Sequence, residues 1–146
     1  MQVDLLLCDH AEAVNGKLYI NGGGWSILYA ANRPATMYLA IVVTFDWDET
    51  NIQHELVAEL LTADGEIVEF GDPPTPARVV GRMEIGRPPG IKPGISLPAP
   101  MALGAAGLLL PADQYVWHVT VDGKELARKP FQVLEAPQLP GFPRPR

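Results

Sequence analysis

Cys8 and His10 stand two residues apart, a spacing that puts a thiol and an imidazole on one face of an extended strand. Such a pair could begin a zinc site or an activated thiolate, but zinc needs further ligands and a nucleophile needs a base brought up in space. His54 and His118 lie at no metal-ligand spacing from them. A free cysteine is ordinarily a small, buried and inert hydrophobe, and that is the expectation for Cys8. Asp46-x-Asp48-Glu49 is an oxygen-rich loop of the kind that holds calcium, yet it lacks the remaining spaced ligands of a calcium motif, so a solvated acidic turn is expected. Gly22-Gly23-Gly24 has no Lys-Ser/Thr pair and no helix behind it to receive a phosphate. It reads as a bulge or sharp bend. The carboxylates Asp9, Glu12 and Asp46 sit on different segments, which leaves acid/base catalysis without a converging pair. The two serines, Ser26 and Ser96, lie in no G-x-S-x-G elbow. The residues therefore point to no catalytic group, no metal and no cofactor, and the expectation is a protein that is not an enzyme.

Residues suited to binding are more evident. Trp25 follows the glycines, Trp47 stands among acids in a loop, and Phe142 lies in a proline-rich tail. An exposed tryptophan suits a sugar platform or a protein hot spot. Arg87 and Lys92 lie in the segment GRPPGIKPG at 86–94, and Arg144 and Arg146 follow Pro140-x-x-Pro143, a spacing used by polyproline ligands. These residues mark a protein-interaction or structural domain that meets a protein partner or copies of itself through strand edges, the 86–94 loop and the tail. A small-ligand or carbohydrate-binding module would need a concave site lined by Trp25, Trp47 or tyrosines. An enzyme of unrecognised type would need a cleft with converging titratable groups.

The elements that position these residues read as antiparallel β. A chain of 146 residues is the size of one domain and can bury roughly 68–70% of its unfolded surface without staples. The pattern assigns a domain to 1–135 and an extended proline tail to 136–146, expected to pack on its own domain, a neighbouring copy or a partner. No apolar run nears the length of a membrane span, the N-terminus lacks a basic signal-peptide region, and the single cysteine excludes an internal disulfide. The expected location is the cytoplasm. A net charge of −6 argues against nucleic acid as a partner. Residues 1–72 carry twelve acids against Lys17 and Arg33, while 73–146 carry nine basic residues against five acids. If the fold kept those halves apart, the molecule would be a dipole suited to head-to-tail contact; interleaved strands would cancel it.

Along the chain, 3–9 reads as an apolar strand, Asn15-Gly16 as a type I′ turn, and 17–21 as the return. Residues 38–45 form the strongest strand, apolar on both faces as a central strand requires. Residues 53–63 and 66–70 make a hairpin about Asp64-Gly65. Eight prolines between 71 and 100 exclude helix and central strands, leaving only 78–85 as a strand there, with 101–110 resuming afterwards.

The unit 108–134, LLLPADQYVWHVTVDGKELARKPFQVL, is the most telling. Tyr115, Trp117, Val119 and Val121 alternate with polar or smaller residues and form the core face. Asp122-Gly123 turns the chain. Pro111 four residues before Tyr115 matches a tyrosine corner, the phenol bonding back to residues 110–113. The fold expected is an all-β, antiparallel, immunoglobulin-like β-sandwich of about seven to nine strands with little helix. The stretches LLLCDHAEAVNGKLYINGGGW, GRPPGIKPG and PADQYVWHVTVDGKELARKPFQV resemble a family of small, mostly actinobacterial proteins known only as a domain of unknown function. The resemblance covers the domain but not the tail. It implies an all-β fold and brings no activity, cofactor or site residue with it.

Overall fold

Two dipeptides set the frame of the computed structural model, which describes residues 1–137. Asn15-Gly16 and Asp122-Gly123 both take positive φ, 50° and 71° in the first and 51° and 79° in the second, as a type I′ turn demands. Each closes a two-residue hairpin, Val14 facing Lys17 and Val121 facing Lys124. In chain order the strands are β1 (Gln2–Val14), β2 (Lys17–Gly23), β3 (Ile27–Leu28), β4 (Pro34–Phe45), β5 (His54–Thr62), β6 (Glu69–Phe70), β7 (Thr75–Pro76), β8 (Arg78–Met83), β9 (Leu97–Leu109), β10 (Asp113–Val121) and β11 (Lys124–Val133). The described helical structure is a single 3-10 turn at Trp47–Glu49. Three of the eleven described strands have two residues each, which takes the number past the seven to nine expected.

One sheet runs β2-β1-β4-β9 and a second β3-β11-β10-β5-β8, while β6 and β7 form a small ladder of their own. Pairing is antiparallel except for β3 beside β11. Both sheets feed one core. Met37, Leu39, Ile41, Val43 and Phe45 of β4 meet Leu56, Ala58 and Leu60 of β5 and the stripe Tyr115, Trp117, Val119, Val121 of β10. The period-2 pattern puts these side chains on one face of each strand, and burying each of the valines, leucines, Ile41, Met37 and Phe45 stabilises the fold by roughly 1.5–3 kcal/mol. Trp117 keeps its indole N–H satisfied inside the core by donating to Met37 Sδ at 3.2 Å. The Tyr115 hydroxyl donates to the Pro111 carbonyl at 2.8 Å, as its position after the proline turn predicts.

A second, smaller apolar cluster lies on the other face of the first sheet. Cys8, Ala11 and Ala40 are buried there with Leu6, Leu18, Tyr38 and Ala102 packed around them. β1 runs past its pairing with β4, which ends at Cys8–Tyr38, and continues into the β2 hairpin. The glycines serve that hairpin: Gly22 has φ +61°, and a Cβ there would collide with the Asp9 carboxylate.

The proline-rich middle departs from expectation. Residues 97–100 belong to β9 although Pro98 and Pro100 interrupt them. Among the described residues β9 is a sheet edge, bonded to β4 alone, and an edge strand tolerates residues that donate no hydrogen bond. The turn at Asp64-Gly65 forms, with the Gly65 N–H on the Thr62 carbonyl, but its return strand is cut short. Pairing across it stops after the Thr62 N–H on the Glu66 carbonyl and the Val68 N–H on the Leu60 carbonyl, because the Leu60 N–H goes to the Ala77 carbonyl and β6 pairs with β7. The strand expected over 78–85 ends at Met83. Acids of the first half of the chain sit beside bases of the second, Glu59 of β5 lying 3.4 Å from Arg78 of β8 and Glu55 facing Arg82. The second sheet thus interleaves the two charge halves. No helix among the described residues is long and apolar enough to cross a membrane.

Candidate functional site

Where β4 ends, the chain must cross from the first sheet to β5 in the second, and the acidic segment 46–51 makes that crossing. The Asp46 N–H donates to the Glu49 carboxylate at 2.9 Å, and the Glu49 N–H donates to the Asp46 carbonyl at 3.1 Å. Together these bonds close the 3-10 turn. Thr50 donates its hydroxyl to the Trp47 carbonyl at 2.7 Å, and Asn51, at φ 57°, donates its N–H to Ile85 at 2.8 Å. The turn is thereby tied to the segment that leads into the 86–94 loop.

Arg87 joins from that loop. Its guanidinium lies 4.0 Å from the centre of the Trp47 ring, donates through Nε to the Thr50 hydroxyl and through an Nη to the Trp47 carbonyl, both at 2.6 Å. Two residues expected to bind a partner therefore bind each other. One face of Trp47 is covered by a cation, the arrangement favoured by the ring quadrupole. The Met1 amine sits 3.2 Å from the Asp46 carboxylate and 3.1 Å from that of Glu49; the Glu49 bond leads the causes that raise its pKa above 8.0, against a smaller opposing effect of burial.

Beneath the turn lies a pair that sequence reasoning missed. His54, at 6% exposure, places Nδ1 2.6 Å from Asp122 Oδ2 and Nε2 2.9 Å from the Glu49 carbonyl. Asp122 accepts the Glu55 N–H on its other oxygen at 2.9 Å and returns its own N–H to the Glu55 carbonyl at 2.9 Å. Both ring nitrogens face acceptors, so the doubly protonated imidazolium is the form that satisfies the site. Burial opposes the charge, but the Asp122 bond and the Glu49 carbonyl outweigh it and raise the His54 pKa above 6.5. The His54 bond leads the causes that lower the Asp122 pKa below 3.8. With both nitrogens engaged, neither faces a substrate. A signal existed in the sequence: His54 shares its face of β5 with Leu56, Ala58 and Leu60, so a polar residue stands where the alternation calls for an apolar one.

The other candidates scatter. Trp25 is half-buried, edge-on to Phe131 at 6.2 Å between ring centres, and its buried indole N–H has no partner among the described residues. Phe131 also lines an open, shallow depression of about 360 Å³ with Ser26, Ile27, Gln114, Pro130 and Gln132; neither Trp25 nor Trp47 lines it. Lys92 is exposed in the 86–94 loop. Phe142, Arg144 and Arg146 lie outside the described residues. Cys8 is fully buried, and burial, with Asp9 nearby, raises its thiol pKa above 9.0, the environment of an inert cysteine. His10 stacks obliquely on Tyr38 at 4.8 Å and lies 3.7 Å from Glu12.

No curated protein and no solved structure matches the chain. A family model does, over residues 3–134, a span that runs from the first sheet's β1 through the end of β11. The chain belongs to DUF6941, a family of unknown function.

Proposed function

We propose that this protein is a non-catalytic interaction or structural domain of the immunoglobulin-like β-sandwich type, and that it associates with a second copy of itself through the outer edge of β2. The order β1-β4-β9 opposite β11-β10-β5-β8 and the Tyr115 corner support the immunoglobulin-like reading. The carrying observation is the contrast among the four outer strands of the two main sheets. β9 is blunted by Pro98 and Pro100, β8 bears Arg78 and Arg82, and β3 has two residues; these are the devices that keep edges from pairing. β2 has no proline and a single charge, Lys17. Its hairpin exposes Val14, Tyr19 and Ile20 at 45%, 55% and 40%.

Pairing β2 with its own copy about a two-fold axis at Ile20 sets Lys17 against Gly23 of the second copy, so no like charges meet. Such strand addition supplies main-chain hydrogen bonds, and the exposed side chains supply apolar area. The lone buried Cys8 suits a reducing compartment, the cytoplasm. The test is the mass in solution of the full chain and of a chain ending at residue 135. Association that survives removal of the tail is expected, while a strict monomer in both forms would defeat the proposal.

A further inference from the structure

We propose that His54 is a proton-operated latch: its imidazolium clamps the 46–51 turn, and with it the Trp47–Arg87 surface, onto the Asp122 corner, and loss of the proton frees them. One ring joins the β10–β11 turn through Asp122 to the acidic turn through the Glu49 carbonyl. From that turn Thr50 and the Trp47 carbonyl hold Arg87, and Asn51 holds Ile85. Releasing the Glu49 carbonyl therefore removes the bond that ties to the Asp122 corner the turn on which both Arg87 bonds rest, and leaves the Met1 amine on Asp46 and Glu49 and the Asn51–Ile85 bond as its remaining described ties.

The chemistry follows from the acceptors. A carboxylate at 2.6 Å and a carbonyl at 2.9 Å accept the two N–H groups of an imidazolium. A neutral ring keeps one N–H, and its bare nitrogen then points a lone pair at an oxygen. Asp122 is a charged acceptor and holds the remaining N–H, so the conflict falls on the Glu49 carbonyl. The ring has little room to turn away, since Phe45 packs on it at 5.3 Å between centres.

The charges around the ring come from every neighbouring element. Asp122 and Glu49 favour the proton. The Glu49 and Asp46 carboxylates are partly neutralised by the Met1 amine. In β5, Glu55 faces Arg82 of β8, Lys124 opens β11 beyond the turn, and Arg87 approaches only through Thr50. The nearest charges are thus anionic, and the net bias holds the latch closed at and somewhat above the ordinary histidine midpoint.

The test is nuclear magnetic resonance on the full ¹⁵N-labelled chain from pH 5.5 to 9. The His54 ring nitrogens should titrate with a midpoint above 6.5, and the Trp47 indole signal should move with the same midpoint. Amide protection factors of Thr50 and Asn51, corrected for intrinsic exchange, should fall about tenfold for each unit between that midpoint and 6.5. Asp122→Asn should move all three transitions together to lower pH. His54→Gln, which still places an N–H toward the turn, should abolish the step; if either variant fails to fold, the coincidence of the wild-type transitions carries the test. A His54 midpoint at or below 6.5, or a Trp47 signal and Thr50–Asn51 protection that ignore the His54 titration, would overturn the proposal.

Discussion

Replacing Tyr115 with phenylalanine removes one oxygen and nothing else, which makes it a sharp probe of the corner between β9 and β10. The hydroxyl donates to Pro111 at 2.8 Å, while the ring stacks on Phe131 at 5.8 Å and stays there as phenyl. No packing term enters. A net intramolecular hydrogen bond is worth about 0.5–1.5 kcal/mol. Pro111 lies at the exposed turn, so water can reach the abandoned carbonyl and the larger penalty of a sealed orphan does not apply. Tyr115→Phe should therefore cost about 1 kcal/mol, a fall in Tm of about 3–5 °C for a domain of this size. Urea unfolding followed by far-ultraviolet circular dichroism should show a lower midpoint with the slope unchanged. Tyr19→Phe is the control, because that ring is 55% exposed and its change should stay within about 0.5 kcal/mol. A Tyr115→Phe loss under about 0.3 kcal/mol, or a Tyr19→Phe loss as large, would refute the corner as an energetic tie.

Three further outcomes follow from the geometry. Arg87→Ala uncovers Trp47 and removes two hydrogen bonds, so acrylamide quenching of tryptophan emission should rise while global stability falls by about 1–2 kcal/mol; unchanged quenching would show that Arg87 does not shield the ring. Gly104→Val places side-chain atoms where the Tyr38 ring lies, a Cβ there coming within 2.9 Å of it, and should open the Cys8 cluster. The rate of Cys8 labelling by a thiol reagent should then rise severalfold over the inert wild type. The pH profile of stability has a defined sign. His54, raised from 6.5, contributes fully below 6.5 and loses its contribution as pH rises through its folded value; Asp122, lowered from 3.8, contributes above 3.8 and loses it as pH falls through its own. Their joint contribution is greatest between 3.8 and 6.5, and the alkaline limb should flatten in Asp122→Asn; an unaltered limb would remove the pair from the account.

Much of the fold was legible because its signals are local. The alternation from Tyr115 to Val121 and the Asn15-Gly16 and Asp122-Gly123 turns specify strands, face and register within a few residues. Strand ends were harder. Pro98 looks like a strand breaker until β9 is known to be an edge, which depends on sheet order. The site was legible only in parts, for the same reason. Trp47 and Arg87 were each visible as binding residues, but stacking between residues separated by the whole of β5 to β8 has no periodic trace. His54 was visible as a polar residue on an apolar face, and its partner Asp122 looked like an ordinary turn residue, since an aspartate before glycine already has a local explanation.

Self-association through the outer edge of β2 is decided by sedimentation equilibrium of the wild-type chain beside Ile20→Lys. The substitution puts a charge at the centre of the edge, opposite its own copy, without touching the main core. The wild type should have about twice the 15.8 kDa of one chain, and Ile20→Lys a single-chain mass at the same concentration. A wild type that remains at 15.8 kDa throughout the micromolar range, or an Ile20→Lys chain that associates equally well, would contradict association through that edge.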